Sequence, residues 1–502
     1  MSTNTSYQRL RDTVVDGRAE NVFYRREQLR KLHDRLSEGN TPLLDAIVAD
    51  SGNTSAEAWT ELYQALAVLK TCFDGLDPEK ALAEEYAIAK QQDSAGARTA
   101  VGIVYIEPTM HTVVFSVVSA VAAAIAAGNC VIVVLEKTPR QTPALLQQYL
   151  CDALDPDLLH IAPAKLDDAE FLQSCVRVIQ EGSVAEAAAA TGVSFVSPSR
   201  LLTVAIVDRT ANIDDAARSL VAARFRYRGT SPYAPDLVLV DETAKGAFLN
   251  AVVRHSIKYL TADSSSSDAK KRQQRQREPN SRSIFDDASA AKIVTSGNNG
   301  SILDVTKRTA LLKLQKISQP AILVHATTSM DDAINLANDM ADKFLASYVF
   351  GAPDVCRYII NFIGSHLSLA NHVQSQLLLG PAFPIGMAAT AASALNPLVR
   401  YAVDGFMEPT PAYYVKPAAA TELDTLLEGL EGPESGSTAV AAKKSAMLQS
   451  VTLNADRSIR HPIGFFEQGI LTGLTLIGTP IILSIGALGY HGVRRIVLPA
   501  LW

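Results

Sequence analysis

Hydrophobic positions in residues 7–76 recur at helical spacing among dense charge, as in Arg25-Arg26-Glu27-Gln28-Leu29 and again over 56–69. This part of the chain predicts two or three amphipathic helices. The pattern changes at 101–106, a short continuous apolar run of strand type. A small-residue helix is expected over 113–127, closed by Gly128-Asn129, and a second apolar strand over 130–135. Strand, helix and strand in quick succession make a βαβ unit, and strands apolar throughout belong to a sheet buried on both faces. The alternation returns with a strand at 202–207, a helix at 212–227 led by Asp214 and Asp215, a strand at 236–240 and a helix at 243–260. A strand at 321–324, a helix capped by Ser329, a strand at 347–350 and a helix at 354–363 continue it. Such alternation means α/β architecture.

The C-terminal pattern differs from all of this. Residues 469–490 carry no charge over 22 positions and are rich in Leu, Ile and Gly. As a helix they would span roughly 33 Å, the thickness of a bilayer core. Arg457, Arg460 and Glu467 precede the run, and His491, Arg494 and Arg495 follow it. The segment reads as a membrane attachment, with a buried or surface-lying terminal helix as the alternative. Pro480 is placed to kink it or divide it into a shallow hairpin. Arginines beyond the run suit a monotopic or hairpin insertion better than a tail whose end crosses the bilayer.

Composition narrows the classes. Of 502 residues, 48% are hydrophobic and 20% charged, which excludes a disordered chain. A net charge of −6 leaves no footprint for nucleic acid. Cys72, Cys130, Cys151, Cys175 and Cys356 show neither paired nor metal-ligand spacing, so reduced thiols and no metal site are expected. The polar N-terminus has no signal-like run, and the globular body is read as cytosolic. Residues 264–282, with a serine run, Lys270-Lys271-Arg272 and Arg275, read as a disordered, solvated loop. Its basic charge could also meet anionic lipid heads. The stretch 417–444, rich in Ala, Gly, Glu and Ser, reads as a linker.

Residues 225–236 read Phe-Arg-Tyr-Arg-Gly-Thr-Ser-Pro-Tyr-Ala-Pro-Asp. This stretch resembles the nucleophile loop of the aldehyde dehydrogenases, Phe-x-Asn-x-Gly-Gln-x-Cys-x-Ala-Pro-Asp. The likeness covers about residues 20–390, and it is nearest to the class 3, fatty-aldehyde branch. It includes Arg26-Glu27-Gln28-Leu29, Val101-Gly102-Ile103-Val104, the run Ala-Ala-Ile-Ala-Ala-Gly-Asn at 123–129, Ala205-Ile206-Val207-Asp208, Asp331-Asp332-Ala333-Ile334 and Tyr348-Val349-Phe350. The resemblance implies a Rossmann-like nucleotide-binding domain with N-terminal helices at 1–204 and a catalytic-type α/β domain at 205–390. A tail and linker at 391–463 and the apolar anchor at 464–502 complete the expected layout. It also implies NAD or NADP as cofactor, and self-association or pairing with a related dehydrogenase.

The chemistry positions depart from that family. Its catalytic cysteine falls on Pro232, which has no nucleophilic atom. Its general-base glutamate falls on Pro198, and its oxyanion asparagine on Met110 within Thr109-Met110-His111-Thr112. Of the cofactor positions, the adenine-ribose lysine is Val134, and the nicotinamide-ribose glutamate is Lys316. Gly182-Ser183 keeps the start of the pyrophosphate turn, whose second glycine is Ala187. Ser231 and His111 are the residual candidates for serine-based acyl transfer or hydrolysis. The expected function is a membrane-associated pseudoenzyme serving as partner or ligand binder. The alternative is an NAD(P)-dependent oxidoreductase taking a long-chain or polyketide aldehyde to its acid by a non-standard site.

Overall fold

A computed structural model describes residues 3–87, 90, 97–189, 193–261, 284–285, 289–297, 299–385, 399–409, 442, 445 and 470–492. The expected loop 264–282 lies outside the described residues, as does nearly all of the expected linker. The chain divides into two compact units, residues 1–415 and 416–502.

The first unit opens with helices, among them Val22–Ser37, Thr41–Ser51 and Ser55–Asp74, whose leucine and alanine faces are buried. A short strand β1 (Arg98–Ala100) leads into the first sheet. That sheet holds β2 (Ile103–Glu107), β3 (Cys130–Val134), β4 (Leu159–Ala162), β5 (Val176–Gly182) and β6 (Ser194–Pro198). All its neighbours pair in parallel, in the order β4-β3-β2-β5-β6. The crossover from β2 to β3 is the helix Val113–Ala126, buried at every position. Its alanines and serines let it pack closely, and an all-round apolar helix of this kind has no face to offer water.

The second sheet holds β7 (Thr203–Val207), β8 (Leu237–Asp241), β9 (Ala291–Gly297), β10 (Gly300–Val305), β11 (Ala321–Thr327), β12 (Phe344–Phe350) and β13 (Ser365–Ala370). Its order is β13-β12-β7-β8-β11-β10-β9, parallel except for the antiparallel edge pair β10–β9. Finally β14 (Met407–Pro409) returns to pair antiparallel with β1. The central strands β3, β7, β8 and β12 are buried throughout, as continuous apolar runs require. Tyr105, Phe115, Tyr233, Phe248 and Tyr348 lie in one hydrophobic core that both sheets share within this unit. The expected α/β fold, with a Rossmann-like parallel sheet and a second sheet, is the observed one.

In the second unit the continuous described helical run extends from 470 to 492. Ile470–Ala487 is long and apolar enough to cross a membrane, and among the described residues it alone meets that test. Leu474, Leu476, Ile477 and Leu483 are all more than 60% exposed. A π-helical turn at Leu474–Gly478 stands just before Pro480. Proline lacks the amide hydrogen and crowds the preceding turn, and a widened turn relieves both effects.

Candidate active site

The helix Ile213–Phe225 stops short of the expected residue 227 because the chain enters three successive left-handed residues, Tyr227 (φ 48°), Arg228 (φ 54°) and Gly229 (φ 68°). Two of them carry side chains, and each such residue costs about 1–2 kcal/mol. The turn is held from outside: Glu57 accepts the Tyr227 N–H through Oε1 (3.0 Å) while its Oε2 accepts the Thr54 N–H (2.9 Å). Gly229 is obligatory here, since a Cβ would lie 2.7 Å from the Gln319 carbonyl and 2.9 Å from that of Arg224.

This turn delivers Pro232 into a buried, fully bonded setting. Its carbonyl accepts from Thr203 Oγ1 at 3.0 Å and from the ammonium of Lys316. Lys316 also reaches Asp236 Oδ2 at 2.8 Å and Thr203 Oγ1 at 3.3 Å. Its three donors therefore meet three acceptors. Burial pulls the lysine pKa down, while Asp236 pulls it up. Asp236 further accepts the N–H groups of Thr203 (2.8 Å) and Ile317 (3.1 Å), and pairs with Arg224 at 3.5 Å. Arg224 is 0% exposed and spends its other donors on the carbonyls of Ala321, Ile317 and Gln319. A buried charge cluster thus fills the space around the loop. Position 232 contributes neither a nucleophile nor a backbone N–H.

The residues facing this loop follow β2. The Met110 N–H donates to Glu181 Oε1 (3.2 Å), and the Thr109 hydroxyl donates to the same oxygen (2.5 Å). A carboxylate therefore occupies the donors of the Met110 turn, where a developing oxyanion would need them free. His111 Nε2 faces the Leu378 carbonyl at 2.8 Å, so this nitrogen holds the proton. Nδ1 faces Thr230 Oγ1 at 2.8 Å. Burial lowers its pKa to about 4, opposed by the Leu378 bond and Glu181, which leaves the ring neutral at neutral pH. Ser231 is 1% exposed, and its hydroxyl accepts the Tyr233 N–H at 3.3 Å. The structure brings His111 to Thr230, and no hydrogen bond joins the residual candidates His111 and Ser231 among the described residues.

Of the residues read from sequence as cofactor positions, Val134 ends β3 and Gly182 ends β5. Gly182 closes β5 in register with Pro198 at the end of β6. Its missing side chain has a packing cause, because a Cβ there would lie 2.2 Å from Val196 Cγ1. Ser183 caps the short helix Val184–Ala189: its hydroxyl accepts the Glu186 N–H (3.2 Å), and the Glu186 carboxylate accepts the Ser183 N–H (2.7 Å). This reciprocal cap places a carboxylate on the Ser183 N–H and a hydroxyl on the Glu186 N–H, donors that a pyrophosphate would otherwise meet. Val134 is 5% exposed at the end of β3 and offers no donor. Together with Lys316, already committed to Asp236, these residues do not fit a dinucleotide.

Two charged residues of the site escaped the sequence reading. Arg224 sits in the last turn of its helix, where an arginine ordinarily serves the helix dipole at the surface. Glu61 is 1% exposed and accepts the Val114 N–H at 2.9 Å. It caps the buried helix Val113–Ala126, whose own N-cap residue Thr112 has φ 42° and provides no side-chain cap. Burial raises the Glu61 pKa to about 7 against the pull of the Val114 and Phe115 N–H groups. No group of His, Cys, Asp and Glu suited to a metal occurs among the described residues. Cys72, Cys130, Cys175 and Cys356 are buried and Cys151 is exposed; burial raises the pKa of every one.

Two largely parallel sheets joined by helical crossovers make this an α/β protein with a Rossmann-like sheet. Residues 17–170 match the model of the aldehyde dehydrogenase family, so the chain carries an aldehyde dehydrogenase family domain. Rat aldehyde dehydrogenase family 3 member A2 is 24% identical over 371 residues, covering 68% of this chain and 74% of that protein. The rat dimeric NADP-preferring aldehyde dehydrogenase is 23% identical over 375 residues, covering 70% and 81%. Among solved structures, substrate-bound AldH of Staphylococcus aureus superposes with a TM-score of 0.66 at 17% identity, covering 89% of this chain and all of that one. The whole body has the fold of these enzymes, and the protein is aldehyde dehydrogenase-like.

Proposed function

We propose that this chain is a membrane-associated aldehyde dehydrogenase-like pseudoenzyme, one that binds a ligand or a partner and does not oxidise aldehydes. One observation carries the reading: Lys316 and Thr203 both hold the carbonyl of Pro232, at the position the family gives to its nucleophile. A thiol-free position sealed by a buried ion cluster has no atom that can form a hemithioacetal. Pro198 at the base position, the Glu181-bound turn at Met110 and the Glu186-capped helix support it. The division of the body at residue 204, and a cytosolic body held at a bilayer through 464–502, belong to the same proposal. A relative named as dimeric supports pairing with a second copy or with a related active dehydrogenase.

Calorimetric titration of the full chain, held in non-ionic micelles, with NAD and NADP tests this. No binding at millimolar nucleotide is the expected result. Micromolar binding would return the chain to the oxidoreductases.

A further inference from the structure

Outside the buried cluster, the helix Ile213–Phe225 and the segment 373–378 line a half-open surface cavity of about 180 Å³. Its polar wall carries Arg218 and Ser219 from the helix, Arg226 from the following turn, and Ser375 opposite. Val373 and Leu378 are among its apolar lining residues. Leu378 also accepts from His111, which puts the cavity next to the Thr230–Pro232 loop.

Charge decides what such a cavity would take. Arg226 donates to Ser375 Oγ at 3.0 Å and forms no ion pair among the described residues. Arg218 pairs with Asp215 on its own helix. Two guanidinium groups against one carboxylate leave one unmatched positive charge on the polar wall, with two hydroxyls beside it. The apolar lining leaves room for a few methylene groups next to that charge. The volume falls well below the roughly 300 Å³ and above that encloses drug-sized ligands.

We infer that this cavity binds a small monocarboxylic acid, its carboxylate on Arg226 with Ser375 and its short apolar chain against Val373 and Leu378. A guanidinium matches a carboxylate with two parallel hydrogen bonds, and one unmatched charge suits a monoanion better than a dianionic phosphate. The inference deepens the ligand-binding side of the proposed function and names the ligand class. It needs no nucleotide.

Titration of the full chain in non-ionic micelles, without nucleotide, with hexanoate, hexanol and inorganic phosphate tests it. Hexanoate should bind, and both hexanol and phosphate should bind at least tenfold more weakly. Arg226→Gln should weaken hexanoate at least tenfold. Asp215→Asn, which frees Arg218, should tighten it several-fold while the chain stays folded. That gain keeps the test decisive even where Arg226→Gln perturbs the fold. Equal affinity for hexanoate and hexanol, a preference for phosphate, indifference to both substitutions, or no hexanoate binding at 10 mM would each overturn the inference. Because these titrations omit NAD and NADP, a nucleotide-binding result would defeat the pseudoenzyme reading and leave the carboxylate site standing.

Discussion

At Glu61 and His111 the same burial acts on opposite charge types, and their effects on stability run in opposite directions with pH. Glu61 titrates near 4.5 in the unfolded chain and about 7 in the folded one. The folded state holds its proton more tightly, so this group's contribution falls as pH rises from 4.5 to 7. His111 titrates near 6.5 unfolded and about 4 folded. There the unfolded state binds the proton more tightly, so its contribution grows as pH rises from 4 to 6.5. Each amounts to about 3 kcal/mol at 1.36 kcal/mol per pKa unit, and the two nearly cancel. Glu61→Gln keeps an acceptor for Val114 and should show stability climbing between pH 4 and 6.5. His111→Gln should show it declining between 4.5 and 7. Urea midpoints measured across this range check both, and slopes equal to the parent's would refute the assignment.

Among the elements, the helix Ser55–Asp74 carries the clearest division of labour. Thr54 and Glu57 form a reciprocal cap at its start, and Glu57 also holds the left-handed turn through Tyr227. Thr54→Ala should cost about 1 kcal/mol, the usual worth of a cap. Glu57→Ala loses the cap and also leaves the Tyr227 N–H without its acceptor, so about 2–3 kcal/mol is expected. Denaturant titration separates these values, and equal losses would mean that Glu57 serves only its own helix. The strands β3, β7 and β8 were legible in the sequence as apolar runs with at most a polar end residue, and the helix 113–126 as a small-residue run. By contrast β12, interrupted by Ser347, was read only from 347 to 350, and the interior strands β5 and β10 were not read. The edges were not: β9 (Ala-Lys-Ile-Val-Thr-Ser-Gly) and β13 (Ser-His-Leu-Ser-Leu-Ala) are half-exposed, and their polar composition hides strand character. Pro232, Pro198 and Met110 stand at the family's chemistry positions through the resemblance, and their residue types carry the proposal of lost chemistry. The setting around them was not readable, since Lys316 reaches Asp236 from 80 positions away and joins it to Arg224. Gly182 illustrates the converse, a glycine that fitted a phosphate turn and has its cause in packing against Val196.

For the whole molecule, the apolar run Ile470–Ala487 sets the expected address. The full chain should float with phospholipid vesicles through a density gradient, and a chain stopped at residue 469 should stay at the bottom. Equal flotation of the two would move membrane attachment elsewhere. Under the proposed function, a chain with proline at the nucleophile position also has a distinct chemical visibility. Electrophilic reagents that tag aldehyde dehydrogenases at the loop cysteine find no sulfur in this loop, and four of the five thiols lie buried elsewhere. Labelling in the native state should mark Cys151 alone. Surveys that count these enzymes by the labelled loop peptide will pass over this protein however abundant it is.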